Sequence, residues 1–141
     1  MVITLRLIVV ILACLCCGCS SGISDKNLKY IMPNEAEILV QDGNSALLRG
    51  WGVAIVDSRQ TWDFKDAHIE GSINIPFGWL GLLLGRLDDV GTIVVSGETY
   101  NDSVAIAMSK QLMKMGFTDV RTMRGGLVGW GDAGKPIETE E

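Results

Sequence analysis

The residues best placed to do chemistry lie in one stretch, Ser96-Gly97-Glu98-Thr99-Tyr100-Asn101-Asp102-Ser103. It follows Thr92-Ile-Val-Val95, a β-branched apolar run that reads as a strand buried on both faces. Beyond it Val104, Met108, Leu112 and Met115 recur at helical spacing, and Gly116 stands where a helix C-terminus favours glycine. Asp102 or Ser103 supplies the N-cap oxygen, and Gly97 and Asn101 can take positive φ. A loop between a buried strand and a helix N-terminus gathers free amides and the positive end of the helix dipole, which suits a thiolate nucleophile or a bound anion. This loop holds no cysteine, lysine or arginine. Its Glu98 and Asp102 instead oppose the roughly half positive charge of a helix end. With Tyr100 they read either as a recognition surface for a basic partner or as a solvated loop.

Other reactive side chains are few. His68 is the one histidine, and with Ser96 and Asp57 it could form a serine-hydrolase-like trio if the three converge. A single histidine with scattered carboxylates and no thiols in the folded part has no metal-ligand spacing, so no metal and no cofactor are expected. Net charge is −5, with 17 acidic against 12 basic residues and no basic cluster, which argues against nucleic acid as a partner.

All four cysteines, Cys14, Cys16, Cys17 and Cys19, fall before residue 20. The rest of the chain therefore has no internal disulfide and no cysteine nucleophile. Arg6 and the apolar run from Leu7 to Cys17 match a secretory h-region, too short for the ~20 residues of a spanning helix. The run ends in Leu15-Cys-Cys-Gly-Cys-Ser-Ser21, which resembles a bacterial lipoprotein signal. That resemblance implies a signal peptide over 1–18, lipid on Cys19 behind the small Gly18, and a tether over 19–28. Cys14 and Cys17 are the alternative acceptors, since Cys16 stands where leucine is usual. Ser20 after the lipid site points to an outer membrane facing the periplasm where two membranes exist, and otherwise to the outer face of the cytoplasmic membrane.

The elements that must position the loop follow from pattern. Strands are expected at Leu28–Met32, Val53–Val56, Ser72–Ile75, Thr92–Val95 and Val120–Met123, with helices beginning at Pro33, Thr61 and Ser103 and a last short one over Leu127–Asp132. Asp42-Gly-Asn44 reads as the end of the first helix, Ala67–Gly71 as a turn, and Gly125-Gly126 as a tight turn. Phe77 to Leu87, cut by Gly78, Gly81 and Gly85, reads as an irregular helix covering the core or as an apolar docking patch. Alternating short strands and helices mean an α/β fold with a mostly parallel sheet of about five strands, covered by helices on both faces. The folded unit spans 29–137, and 138–141 is an acidic tail read as a solvated terminus.

Four motifs in order, Ile55-Val-Asp57-Ser-Arg59, His68-Ile-Glu-Gly71-Ser-Ile-Asn-Ile-Pro76, the strand-loop-helix at 93–115, and Arg124-Gly125-Gly126-Leu-Val-Gly-Trp130, resemble the rhodanese domain. The resemblance implies a three-layer α/β fold whose loop holds sulfane sulfur as a persulfide on cysteine. It makes Asp57, Arg59, His68, Gly71, Pro76, Gly125, Gly126 and Trp130 structural. The family's usual six-residue step back from Ser103 places Gly97 at the cysteine position, or Ser96 if the loop is one residue longer. Neither carries a persulfide. The expectation is a catalytically silent binding or regulatory module with an envelope protein partner. The alternative is a sulfurtransferase acting by an unconventional route, or a hydrolase using Ser96 or Ser103.

Overall fold

The computed structural model describes residues 22–46 and 52–140. The expected signal, the expected lipid site at Cys19 and the first residues of the expected tether lie outside them. Five parallel strands form the main sheet: β1 (Lys29–Ile31), β2 (Gly52–Asp57), β4 (Ile73–Asn74), β5 (Val90–Ser96) and β6 (Val120–Met123), in the order β1-β6-β5-β2-β4. The helices are α1 (Pro33–Ala46), α2 (Thr61–Asp66), α3 (Leu80–Leu83), α4 (Ser103–Lys114) and α5 (Gly126–Asp132). Among the described residues no helix is long and apolar enough to cross a membrane.

The period of two along β5 divides the core. Ile93 and Val95 pack with Val56, Ile75, Leu80, Met108 and Leu112 on one face. Val94 packs with Ile55, Ile31, Ala36, Leu127 and Trp130 on the other. A strand that is apolar at every position is what such two-sided burial requires. The α/β fold with a five-stranded parallel sheet is therefore as the residue pattern indicated.

Several local expectations change. Helix α1 does not stop at Asp42-Gly43-Asn44 but runs to Ala46. Gly43 is buried against β2, where an added Cβ would collide with the Val53 side chain and lie 2.9 Å from its Cβ. The glycine serves close helix–strand packing rather than termination. The segment 67–71 is not only a turn. His68 and Ile69 form β3, which pairs antiparallel with β7 (Ile137–Glu138), so Glu138 belongs to a strand and not to a solvated tail.

On α4 the buried face is Ala105, Met108, Ser109 and Leu112, while Val104 and Met115 are exposed. Small Ala105 and Ser109 let the helix sit close. The Ser109 hydroxyl donates to the Ala105 carbonyl at 2.9 Å and accepts from the Thr122 hydroxyl at 2.7 Å, linking α4 to β6. The 77–87 segment is broken as expected: a 3-10 turn over Phe77–Trp79, α3, and a second 3-10 turn over Leu84–Leu87. Leu80 and Leu87 enter the core, whereas Phe77, Trp79 and Leu82 face outward.

Candidate functional site

From β2 the chain moves to one side of the sheet and from β5 to the other. The loops leaving their carboxyl ends diverge there, and such a switch point opens a crevice. A cavity of about 310 Å³ lies between them, lined by Ser58, Arg59 and Gln60 of the first loop with Asp63 of α2, and by Glu98 and Asp102 of the second with Val104 of α4.

Asp102 occupies the loop's own anion cradle. It is the N-cap of α4, with Oδ1 accepting from the amides of Val104 at 2.9 Å and Ala105 at 3.0 Å. Its Oδ2 accepts from the Glu98 amide across the loop at 3.0 Å. Amides that would stabilise a bound anion are thus held by a carboxylate of the chain itself. Gly97, placed at the cysteine position by the family step, is crowded by that carboxylate. A Cβ there would meet the Asp102 Cβ and Oδ2 at 2.7 Å. Gly97 is not in the positive-φ region, while Asn101 is, at φ 61°. Glycine stands at 97 for want of space, not for conformational freedom.

Glu98 is also engaged. Its carboxylate accepts from Arg59 Nη1 at 2.6 Å. Arg59 is held in turn by Asp57, whose buried carboxylate accepts from Nε at 3.1 Å and from Nη2 at 2.7 Å, and by the Ala67 carbonyl at 2.6 Å. Burial works to lower the guanidinium pKa, but the hydrogen bonds and charges of Asp57 and Glu98 together raise it above its ordinary value. The two carboxylates that made the loop look acidic are spent on internal partners.

The glycine pair lies underneath. Gly126, at φ 56°, approaches the loop so closely that a Cβ would lie 2.7 Å from the Glu98 carbonyl carbon. The amides of Leu127 and Val128, at the start of α5, donate to the carbonyls of Gly97 at 2.9 Å and Glu98 at 3.0 Å. The pair therefore does more than turn the chain: it lets α5 hold the loop from below.

The proposed hydrolase trio is not assembled. His68 Nδ1 lies 2.8 Å from the Phe64 carbonyl, its Nε2 faces Glu138 at 3.4 Å, and its ring stacks on Phe64 at 3.8 Å. Asp57 is committed to Arg59, and the buried Ser96 hydroxyl donates to the Gly97 carbonyl at 3.3 Å. Ser103 is exposed at the head of α4. Gly71 (φ 72°) turns the chain after β3, Pro76 opens the 3-10 turn after β4, and Trp130 donates from Nε1 to the Pro136 carbonyl at 2.9 Å. Among the described residues no group of three His, Cys, Asp or Glu side chains is placed to hold a metal ion.

Thr99, Tyr100 and Asn101 form the outer tip, and Tyr100 is exposed. Its hydroxyl accepts from Arg124 Nη1 at 2.9 Å, and that hydrogen bond raises the guanidinium pKa above its ordinary value. Arg124 was missed as a site residue because it leads into the Gly125-Gly126 pair and reads as part of a turn. The signal was available: it is the cation that directly precedes the Gly125-Gly126 pair.

The comparisons agree with this architecture. An uncharacterized protein of Buchnera aphidicola is 29% identical over 89 residues, which cover 59% of this chain and 58% of that one. YibN of Escherichia coli K12, also uncharacterized, is 27% identical over 110 residues and 75% of each chain. The crystal structure of a thiosulfate sulfurtransferase from Pseudomonas aeruginosa superposes with a TM-score of 0.64 at 23% identity, covering 80% of this chain and 20% of that one. The chain thus spans little more than half of the Buchnera protein and a fifth of the Pseudomonas one. A family model described as Rhodanese-like domain matches residues 33–133. With its parallel sheet, its strand-end loop and its glycine pair in the order that match requires, the chain belongs to the rhodanese-like domain family.

Proposed function

We propose that this rhodanese-like domain does not transfer sulfur, and that it serves as a binding or regulatory module held at the cell envelope by lipid on Cys19. One observation carries the reading: Asp102 fills the loop's cradle, bonding to Glu98, Val104 and Ala105 amides and crowding the site where a side chain on Gly97 would stand. An anionic donor such as thiosulfate meets a carboxylate where it needs amides. No cysteine lies beyond residue 19 to accept its sulfur. The loop tip, with Tyr100 exposed beside Arg124, is the contact surface for an envelope protein partner.

The test is thiosulfate-to-cyanide sulfur transfer by residues 22–141, with Ser96→Ala and Ser103→Ala as controls. The expected result is no turnover above those variants. Turnover lost on either substitution ends this reading. Anchoring is checked separately: Cys19→Ala should release the protein from membranes, whereas Cys14→Ala and Cys17→Ala should not.

A further inference from the structure

Among the described residues Arg124 is a cation without an ion-pair partner. Its amide donates to the Ile31 carbonyl at 2.9 Å, which fixes its backbone beside β1. Its guanidinium lies 4.1 Å from the Tyr30 ring centroid and 5.5 Å from that of Tyr100, with Nη1 donating to the Tyr100 hydroxyl. Its Nε is buried without a partner. Among the described residues the ion pairs within 4.0 Å take up Arg59, Arg121, Lys29, Lys65, Lys110 and Lys135, and none reaches Arg124. Glu35, in the first turn of α1, is turned back to accept from the Met32 amide at 2.8 Å. In a chain of net charge −5, a cation stacked on tyrosine and left without a carboxylate marks a place for an anion.

Arg124 lines a cleft of about 220 Å³ together with Met32, Pro33, Asn34, Tyr100, Gly129 and Ala133. That is below the roughly 300–1,000 Å³ of sites for drug-sized ligands, so the occupant is small. The walls are mainly apolar and supply no second cation. A phosphate dianion would want a second cation, whereas a carboxylate is matched in charge by one guanidinium, with the Asn34 amide in the same lining.

We propose that Arg124, with Tyr30, Tyr100 and the apolar cleft beside them, binds a monocarboxylate bearing a small apolar body. Two sources share this chemistry, a free short-chain acid and the carboxyl terminus of a partner protein. The inference deepens the binding-module reading and rests on it for the choice of contact face. The two fail separately, since sulfur transfer sinks the first and lack of carboxylate binding sinks the second.

The experiment titrates the full chain in detergent micelles with isovalerate and with isovaleramide, followed by amide chemical shifts. Isovalerate should saturate and move the Tyr100, Arg124 and Gly125 signals, with the amide about tenfold weaker or more, as expected for one charge-assisted contact. Arg124→Gln should abolish the preference for acid over amide. Should Arg124→Gln fail to fold, Arg124→Lys, which keeps the charge but loses the fork, takes its place and should weaken isovalerate several-fold. Tyr100→Phe keeps the ring and should retain binding. A peptide ending in Ser-Val with a free carboxyl group, against its C-terminal amide, separates the sources: tighter binding than isovalerate assigns a chain terminus, weaker binding a free acid, and both uphold the site. Equal affinity for acid and amide, no saturable shift, or an unchanged preference in the Arg124 variant overturns it.

Discussion

The Asp102 carboxylate stands where a side chain on Gly97 would have to be, 2.7 Å from the Cβ position, and it bridges the loop by accepting from the Glu98 amide. The two residues are therefore coupled. Gly97→Cys alone should destabilise the domain by about 1–3 kcal/mol through overpacking. Asp102→Ala alone should cost about 1–2 kcal/mol through loss of the cap. Together they should cost less than the sum, because the second removes the obstacle to the first. Urea denaturation of the four-member cycle measures this. In the background of Glu98→Gln, the double variant should also acquire one sulfur atom from thiosulfate, seen as a mass increase on the peptide that carries the introduced thiol. A strictly additive cycle would show that the two positions do not share space.

Arg59 is the sole cation on the buried Asp57 carboxylate among the described ion pairs. Arg59→Met should therefore destabilise by about 3–5 kcal/mol, the range for breaking a buried pair from one side. Asp57→Asn added to it should recover part of the loss, because the stranded charge is gone. Chemical denaturation checks both, and a loss below about 1 kcal/mol for Arg59→Met, the range of an exposed pair, would contradict the burial of the pair.

Gly43→Ala reverses the usual helix rule. In an exposed helix interior the change stabilises by up to about 1 kcal/mol. Here the new methyl meets the Val53 side chain, so the midpoint of thermal unfolding should fall. Val53→Ala in the same chain should recover only part of the loss, because it removes the colliding γ-methyl but keeps the Cβ at 2.9 Å. A rise in the midpoint for Gly43→Ala alone would place α1 farther from β2.

Acid sensitivity has one identified contributor. Asp119 is held below its ordinary pKa first by its hydrogen bonds from Arg121; burial, the next largest influence, opposes this, and the Thr92 hydrogen bond and the charges of Arg121 and Lys29 add to the lowering. A depressed carboxylate stabilises the fold above its unfolded pKa, near 4, and that contribution disappears as pH falls through the folded value. Asp119→Asn should lower stability at neutral pH and flatten the fall in stability below about pH 4. Parallel denaturation curves at neutral pH and at about pH 3, below the unfolded carboxylate value, provide the comparison.

What the residues revealed in advance was whatever depends on local pattern. The short runs picked out along the chain match all five strands of the main sheet, and Thr61–Asp66 is the expected helix. The 33–133 family match covers the four motifs. What stayed hidden depends on direction and distance. β3 and β7 are two residues each, too short for periodicity, and pair across a long separation. Gly43 obeyed a packing demand rather than its helix propensity. Counting charge made the 96–103 loop acidic, but Asp102 caps α4 and Glu98 meets Arg59, while Arg124 beside the loop bonds to Tyr100 and not to a carboxylate. A count of acids carries no vector.

The β3–β7 ladder imposes an order of events on the nascent polypeptide. His68 and Ile69 emerge early, yet their partners Glu138 and Ile137 are translated long afterwards. Until then that edge has no mate, and the helix-and-turn layer beside it waits for a segment not yet synthesised. Maturation of the domain is thus completed only after its closing segment has been released, leaving a window in which a chaperone or a neighbouring strand can occupy the same vacant rail.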